Sequence, residues 1–291
     1  MVEFFQQLAN GIAAGSIYAL VAVGYTLVFG VLELINFAHG DIMMVSTFVT
    51  VAAVNLGASW ALAVFLGLAA GAVLGLLVER FAYRPLRGAD RMAPTVTAVG
   101  AALVLENAAQ LIWGPQTNPF PGTVDNHLIL LGGAIFTVFQ LIILVVAACM
   151  AGLLFIIVQY SQWGRYMRAI RDDLPTAELV GISVNRIVAF IYALGSVLGV
   201  VGGILFAAYY NAVYVGMGFA ATMNAFVAAV LGGIGSLKGA FVGGLLLGVL
   251  QALAVGYIAS GYENTVSFVV MIAVLIIRPA GLFGRPQVSR V

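Results

Sequence analysis

The sequence predicts an all-α fold: a polytopic transmembrane helix bundle of about eight or nine spans, some short or broken. Three observations carry that prediction. Of 291 residues, 63% are hydrophobic and 8% charged, where a soluble domain carries about 25% charged residues. The apolar residues come in runs approaching the ~20 needed to cross a bilayer as a helix. All twelve Lys and Arg residues fall between those runs. The chain 1–291 is expected to form a single integral-membrane domain in the lipid bilayer.

Each element can be justified in turn. A first apolar segment covers residues 8–32. The stretch ELINFAHGD (33–41) interrupts it with ionisable groups, an asparagine and a glycine, which marks a broken helix. Residues 42–56 and 60–78 are the second and third segments, followed by ERFAYRPLRGADR (79–91). The fourth segment, 93–113, is interrupted by Glu106, Asn107 and Gln110. Residues 114–133 have prolines, Asp125 and His127 but no Lys or Arg, and 136–159 are the fifth segment. After a polar loop come 187–210, a turn NAVYVGMGF (211–219), 223–237, 239–258 and 265–277. Segments 223–237 and 265–277 reach only roughly 20–23 Å, so they borrow flanking residues or stop short. The N-terminal MVEFFQQLAN has no basic residue ahead of the apolar run, unlike a cleaved signal peptide.

Basic residues set the topology. They form four clusters: Arg80–Arg91, Arg165–Arg186, Lys238 alone, and Arg278–Arg290. Two segments separate each cluster from the next, so all four share one side, which the positive-inside rule makes cytoplasmic. The C-terminus is expected there too. Residues 114–133 and 211–219 face the other side. Three full spans before Arg80 would put the N-terminus outside.

Small residues dominate the last third, in GSVLGVVGG, LGGIGS and GAFVGGLLLG. Most serve close helix packing in lipid. The run LGGIGSLKG (231–239) is instead expected to break a helix where protein or water covers its backbone. Residues 38–49 and 237–248 share a pattern, a polar residue and a glycine opening an apolar segment, which is a faint sign of an internal repeat.

Several chemistries are excluded. A net charge of +1 invites no nucleic acid. The single Cys149 excludes an intramolecular disulfide and a cysteine metal cluster. His39 and His127 stand far apart, no HExxH or GxSxG occurs, and the sole lysine lies in Leu-Lys-Gly rather than a P-loop. No cofactor or metal is expected, and the chain is not an enzyme in its own right. Any ATP-driven function needs a separate ATPase. Polar residues inside the membrane are the candidate translocation path: Asn36, His39, Asp41 and Glu106, with Asn107 and Gln110 beside Glu106.

The loop SQWGRYMRAIRDDLPTAELVGISVNR (161–186) is the longest stretch a membrane could not hold. Asp173 can cap a short helix, Pro175 fits its first turn, and Gly181 can stop it. Leu174, Ala177 and Val180 give that helix an apolar face, fit for a soluble partner.

INFAHGD (35–41), ERFAYRPLR (79–87), GRYMRAIRDDLPTAELVGISVNR (164–186), AAVLGGIGSLKGAFVGGLLLGVLQ (228–251) and RPAGLFGRP (278–286) together resemble the LivH-type permeases. Those are membrane subunits of bacterial ABC importers for branched-chain amino acids. The resemblance implies a LivM-like second permease forming a heterodimer, two cytoplasmic ABC ATPases and a periplasmic substrate-binding protein. It also implies a multi-pass place in the bacterial inner membrane. In that family the cytoplasmic loop seats in a groove on an ATPase, and the matching residues here are Ala177, Glu178, Leu179, Gly181 and Ile182. Three other readings stay open. One is a related importer of urea or short amides. The second is an autonomous ion-coupled secondary transporter using His39, Asp41 and Glu106. The third is a channel with LGGIGSLKG as its pore.

Overall fold

The computed structural model describes residues 2–90, 92–121, 128–131 and 134–284; Arg91, Asp125, His127, Arg285 and Arg290 lie outside them. Helix α1 (Val2–Leu32) forms the centre, and it is buried without a gap from Ser16 to Val28. A helix apolar on every side has no surface to offer solvent, so it becomes core. Around it pack α5 (Val138–Tyr160), α8 (Val184–Tyr210), α9 (Met217–Gly232) and α10 (Leu237–Tyr257). Helices α2 (His39–Asn55) and α3 (Trp60–Val78) lie against α8, and α4 (Met92–Trp113) lies against α2. Helix α11 (Glu263–Ile277) sits outside α9 and α10. The exposed apolar side chains of α4, α5 and α11, such as Val104, Val145 and Ile272, form the lipid face.

Among the described residues, six helices are long and apolar enough to span a membrane. Two further apolar helices, Met217–Gly232 and Glu263–Ile277, are shorter. With the 17-residue α2 this helical bundle accommodates the expected span count. Two small antiparallel sheets decorate it: β1 (Asn118–Pro119) with β4 (Ala212–Val213), and β2 (Leu128–Leu131) with β3 (Ala134–Thr137).

Close helix approach explains many glycines. A Cβ on Gly11 would stand 2.6 Å from the Val249 Cα, and one on Gly15 2.9 Å from the Leu245 Cα. Opposite them, Gly248 meets the Gly15 backbone and Gly244 the Ala19 backbone. This is backbone-to-backbone packing, which lipid-embedded helices use in place of hydrophobic drive.

Boundaries moved in two places. The segment expected at 223–237 is instead α9, Met217–Gly232. Gly216 at φ +96 turns the backbone into the helix early, and Gly233 at φ +106 ends it. The expected break in LGGIGSLKG is therefore Gly233 to Ser236, and Ser236 caps α10 through the Gly239 N–H. The basic stretch that follows the third segment begins as helix, through Leu86. It runs as a π-helical turn, Glu79–Tyr83, and a 3-10 turn, Arg84–Leu86. Burial of Glu79 is supported by its ion pair with Arg87. The two stretches with a repeat-like pattern each open a helix, at His39 and at Leu237.

The basic clusters meet at one end of the bundle. Arg87 donates to Asn185 at 2.8 Å, which joins the first cluster to the second. Arg168 and Arg171 line a small cleft with Gly30, Gly235 and Leu237, which brings in the Lys238 region. The Leu282 and Phe283 N–H groups donate to Leu231 and Gly232, which ties the 280–284 segment to the same end.

Candidate coupling loop and translocation path

At the basic end, α5 stops at Tyr160 and Ser161 caps α6 (Gln162–Asp172), its Oγ accepting from the Gly164 N–H at 3.2 Å. Gly164 sits on the Val158 backbone, where any Cβ would collide. Arg168 donates to the Val158 carbonyl at 2.7 Å, so α6 folds sharply back on α5. Gly164, Met167 and Ile170 form its buried face. Asp173 ends α6 and starts α7 (Leu174–Leu179). Its carboxylate accepts from the Thr176 N–H at 3.0 Å and the Thr176 hydroxyl at 2.8 Å. Those bonds hold the Asp173 carboxyl below its usual pKa.

The end of α7 is as ordered as its start. Gly181 takes φ +85. Its N–H donates to the Glu178 carbonyl, and the Ile182 N–H donates to Ala177, both at 3.0 Å. Those bonds make a Schellman stop. The loop helix expected from Asp173, Pro175 and Gly181 is thus present.

Its apolar face differs from expectation. Ala177 is 2% exposed and packs into the chain's own core, with Leu174 and Ile182 partly buried beside it. Val180 is not on that face. The Schellman turn swings it outward, and Leu179 and Val180 are 87% and 71% exposed. Glu178 is exposed too. So the residues α7 offers outward are Glu178, Leu179, Val180 and Gly181, while Ala177 anchors it. Next to them a groove of about 590 Å³ is lined by Arg84, Glu178, Ser183, Asn185 and Arg186.

Three of the four path candidates, Asn36, His39 and Asp41, gather at the broken helix between α1 and α2, and Glu106 stands apart on α4. Asn36 is buried, and its side-chain oxygen accepts from the Tyr83 hydroxyl at 3.3 Å. That hydroxyl also reaches the Ile35 carbonyl at 2.9 Å, so Asn36 belongs to a latch between the break and the π-helical turn. His39 fills a slot left by Gly24 of α1 and Gly199 of α8. Gly199 is fifteen residues into α8, about 22 Å from the basic end, so α2 starts deep inside the bundle. Tyr25 meets the His39 ring edge-on at 6.1 Å. The start of α2 is fixed to the start of α9 by the Gly40 N–H, which donates to Thr222 Oγ1 at 2.9 Å. Asp41 is 3% exposed, whereas Glu106 is half-buried on α4, with Asn107 and Gln110 exposed beside it.

Sequence reasoning missed two features. Tyr25, Thr26 and Tyr192 have buried side-chain oxygens without a hydrogen-bond partner among the described residues, as do His39 Nε2 and Asp41 Oδ1. Separately, Gln251 donates to Asn224 and Ser267, at 3.1 and 2.6 Å. Asn224 and Gln251 were visible as amides within apolar runs, which was the available signal. His127 lies outside the described residues, and no group of three or more potential metal ligands occurs among those described.

A family model described as "Branched-chain amino acid transport system / permease component" matches residues 7–275. The chain belongs to that family. The permease is 38% identical to the high-affinity branched-chain amino acid transport system permease protein LivH of Salmonella typhimurium, over 99% of this chain and 98% of that one. It is 37% identical to the permease protein BraD of Pseudomonas aeruginosa, with the same coverage. A more distant relative is the probable LivH of Methanocaldococcus jannaschii, 26% identical over 95% of this permease and 91% of its own length.

Proposed function

We propose that this permease is the membrane-spanning subunit of an ATP-driven importer in a bacterial inner membrane, and that it translocates branched-chain, hydrophobic amino acids. A periplasmic binding protein delivers the substrate, a LivM-like permease completes the membrane pair, and two cytoplasmic ATPases supply the energy. The observation that carries this reading is the near full-length likeness to LivH and BraD. The capped, outward-facing α7 supports the ATPase contact. A coupling element must move as a body, and a helix this short is not stable alone; its Asp173 cap and Schellman stop make it rigid. The basic end is then cytoplasmic, with the C-terminus on that side. Asn36, His39, Asp41 and Glu106 belong to the path or its walls.

The test is uptake by the reconstituted complex in proteoliposomes, with a panel of amino acids, urea and short amides. ATP-dependent uptake of leucine, isoleucine or valine that survives an uncoupler is the expected result. Preference for urea or an amide would move the permease to a related importer. Uptake lost on adding uncoupler with ATP intact would make it a secondary transporter.

A further inference from the structure

Phe48 of α2 and Trp113 of α4 stack with their ring centroids 5.1 Å apart. In the chain α3 lies between them, and two reversals through short connections give α2 and α4 the same sense. Seven residues are two helical turns, so positions seven before each ring keep its facing, about 10 Å nearer the basic end. Those positions are Asp41 and Glu106, and the two carboxylates interact electrostatically.

Among the described residues no cation pairs with them. Helices α2 and α4 contain no Lys or Arg, and among the described residues no ion pair reaches either acid. Asp41 Oδ1 is buried without a hydrogen-bond partner. It lies against the first turn of α9, where a Cβ on Gly218 would stand 2.6 Å from it. The exposed Asn107 and Gln110 flank the half-buried Glu106 on α4 and make with it a polar arc that begins about two-thirds of the way along the helix. Such an arc is costly against lipid and is found facing water or protein.

We propose that Asp41 and Glu106 form the subsite that receives the ammonium group of the amino acid in transit, reached from the polar arc of α4. This rests on the amino-acid importer reading and sharpens it. A zwitterion brings the missing cation with three N–H donors, whereas urea and neutral amides bring none. The half-buried Trp113 ring, stacked on the buried Phe48, offers apolar surface on the same face to a branched side chain.

The test uses the whole complex in proteoliposomes with leucine-loaded binding protein. Asp41→Asn and Glu106→Gln keep side-chain size and remove charge. Leucine taken up per ATP is expected to fall about ten-fold in each, while hydrolysis stimulated by the loaded binding protein stays within about two-fold. Glu106→Asp is expected to retain most uptake. Unchanged uptake per ATP in Glu106→Gln overturns the proposal, whatever becomes of Asp41→Asn. Parallel loss of uptake and stimulated hydrolysis in Glu106→Gln overturns it too, since that marks a structural role. An unmodified complex that hydrolyses ATP and takes up no leucine defeats the amino-acid reading instead.

Discussion

At Gly181 the backbone sits at φ +85, and nothing lies within 4 Å of where a Cβ would stand. A substitution there meets conformational strain and no clash. Gly181→Val is expected to destabilise the loop by roughly 1–2 kcal/mol, leaving the permease inserted while weakening retention of the ATPases on co-purification. Ala177→Arg acts differently, because Ala177 is core. It is expected to lower the Tm of the detergent-solubilised permease even with no ATPase present. Leu179→Asp, at an exposed position, should leave that Tm unchanged and cost ATPase retention. Reversal of those two outcomes would put α7 the other way round. Asp173 adds a pH dependence. Its folded pKa is lowered, so its cap contributes fully above the ordinary carboxylate pKa of about 3.9 and is lost as pH falls through the lowered value. Amide exchange at residues 176–180, corrected for intrinsic rates, should be flat from neutral pH down to that range and rise below it. The cap, the proline and the glycine stop were legible because each acts through its own backbone. The burial of Ala177 was not, since it depends on where the Schellman turn aims the neighbouring residues.

At the scale of elements, α1 and α10 define the bundle through glycines that face glycines. Gly248→Leu would drive a side chain into the Gly15 backbone, which cannot move aside as a side-chain tip can. Overpacking of this kind costs about 1–3 kcal/mol, and a lower Tm for the solubilised permease is expected. The same change at Gly152, where a Cβ meets nothing within 4 Å, should leave Tm unchanged. Equal effects at both positions would mean the α1–α10 crossing is not the close contact described. Small-residue packing was legible in the sequence as a class, but the identity of the partners was not. Periodicity shows which face of a helix is small and says nothing about which helix meets it. Element ends were least legible where glycine controls them: Gly216 starts α9 six residues before the apolar run at Met223, because φ rather than hydropathy decides the boundary. For the candidate site, the break at 33–38 and its polar residues were evident as a cluster. The proposed pairing of Asp41 with Glu106 depends on the Phe48–Trp113 stack, which joins residues far apart in sequence.

For the whole molecule, charge asymmetry is the organising feature. Among the described residues, cross-links tie the four basic clusters to one end: Arg87 to Asn185, the Arg168–Arg171 cleft to Gly235, and Leu282 to Leu231. Nothing in helix packing requires this, since arginine at either end of a span satisfies the hydrophobic match. The bias follows from the side on which positive charge is retained, which is the ground for proposing that the shared end is the cytoplasmic one. The opposite end carries the 114–121 segment and its strand pairing with Ala212–Val213. In a Cys149→Ser background, single cysteines at Gly88 and Ser183 should react with a membrane-impermeant maleimide only after the cytoplasmic face is opened. A cysteine at the exposed Gln116 should react in intact spheroplasts. Labelling of Gln116→Cys and Ser183→Cys from the same face would mean that the helices between them do not cross an odd number of times. Both the basic-end assignment and the cytoplasmic placement of α7 would then fail together, because α7 joins the end that Ser183 marks.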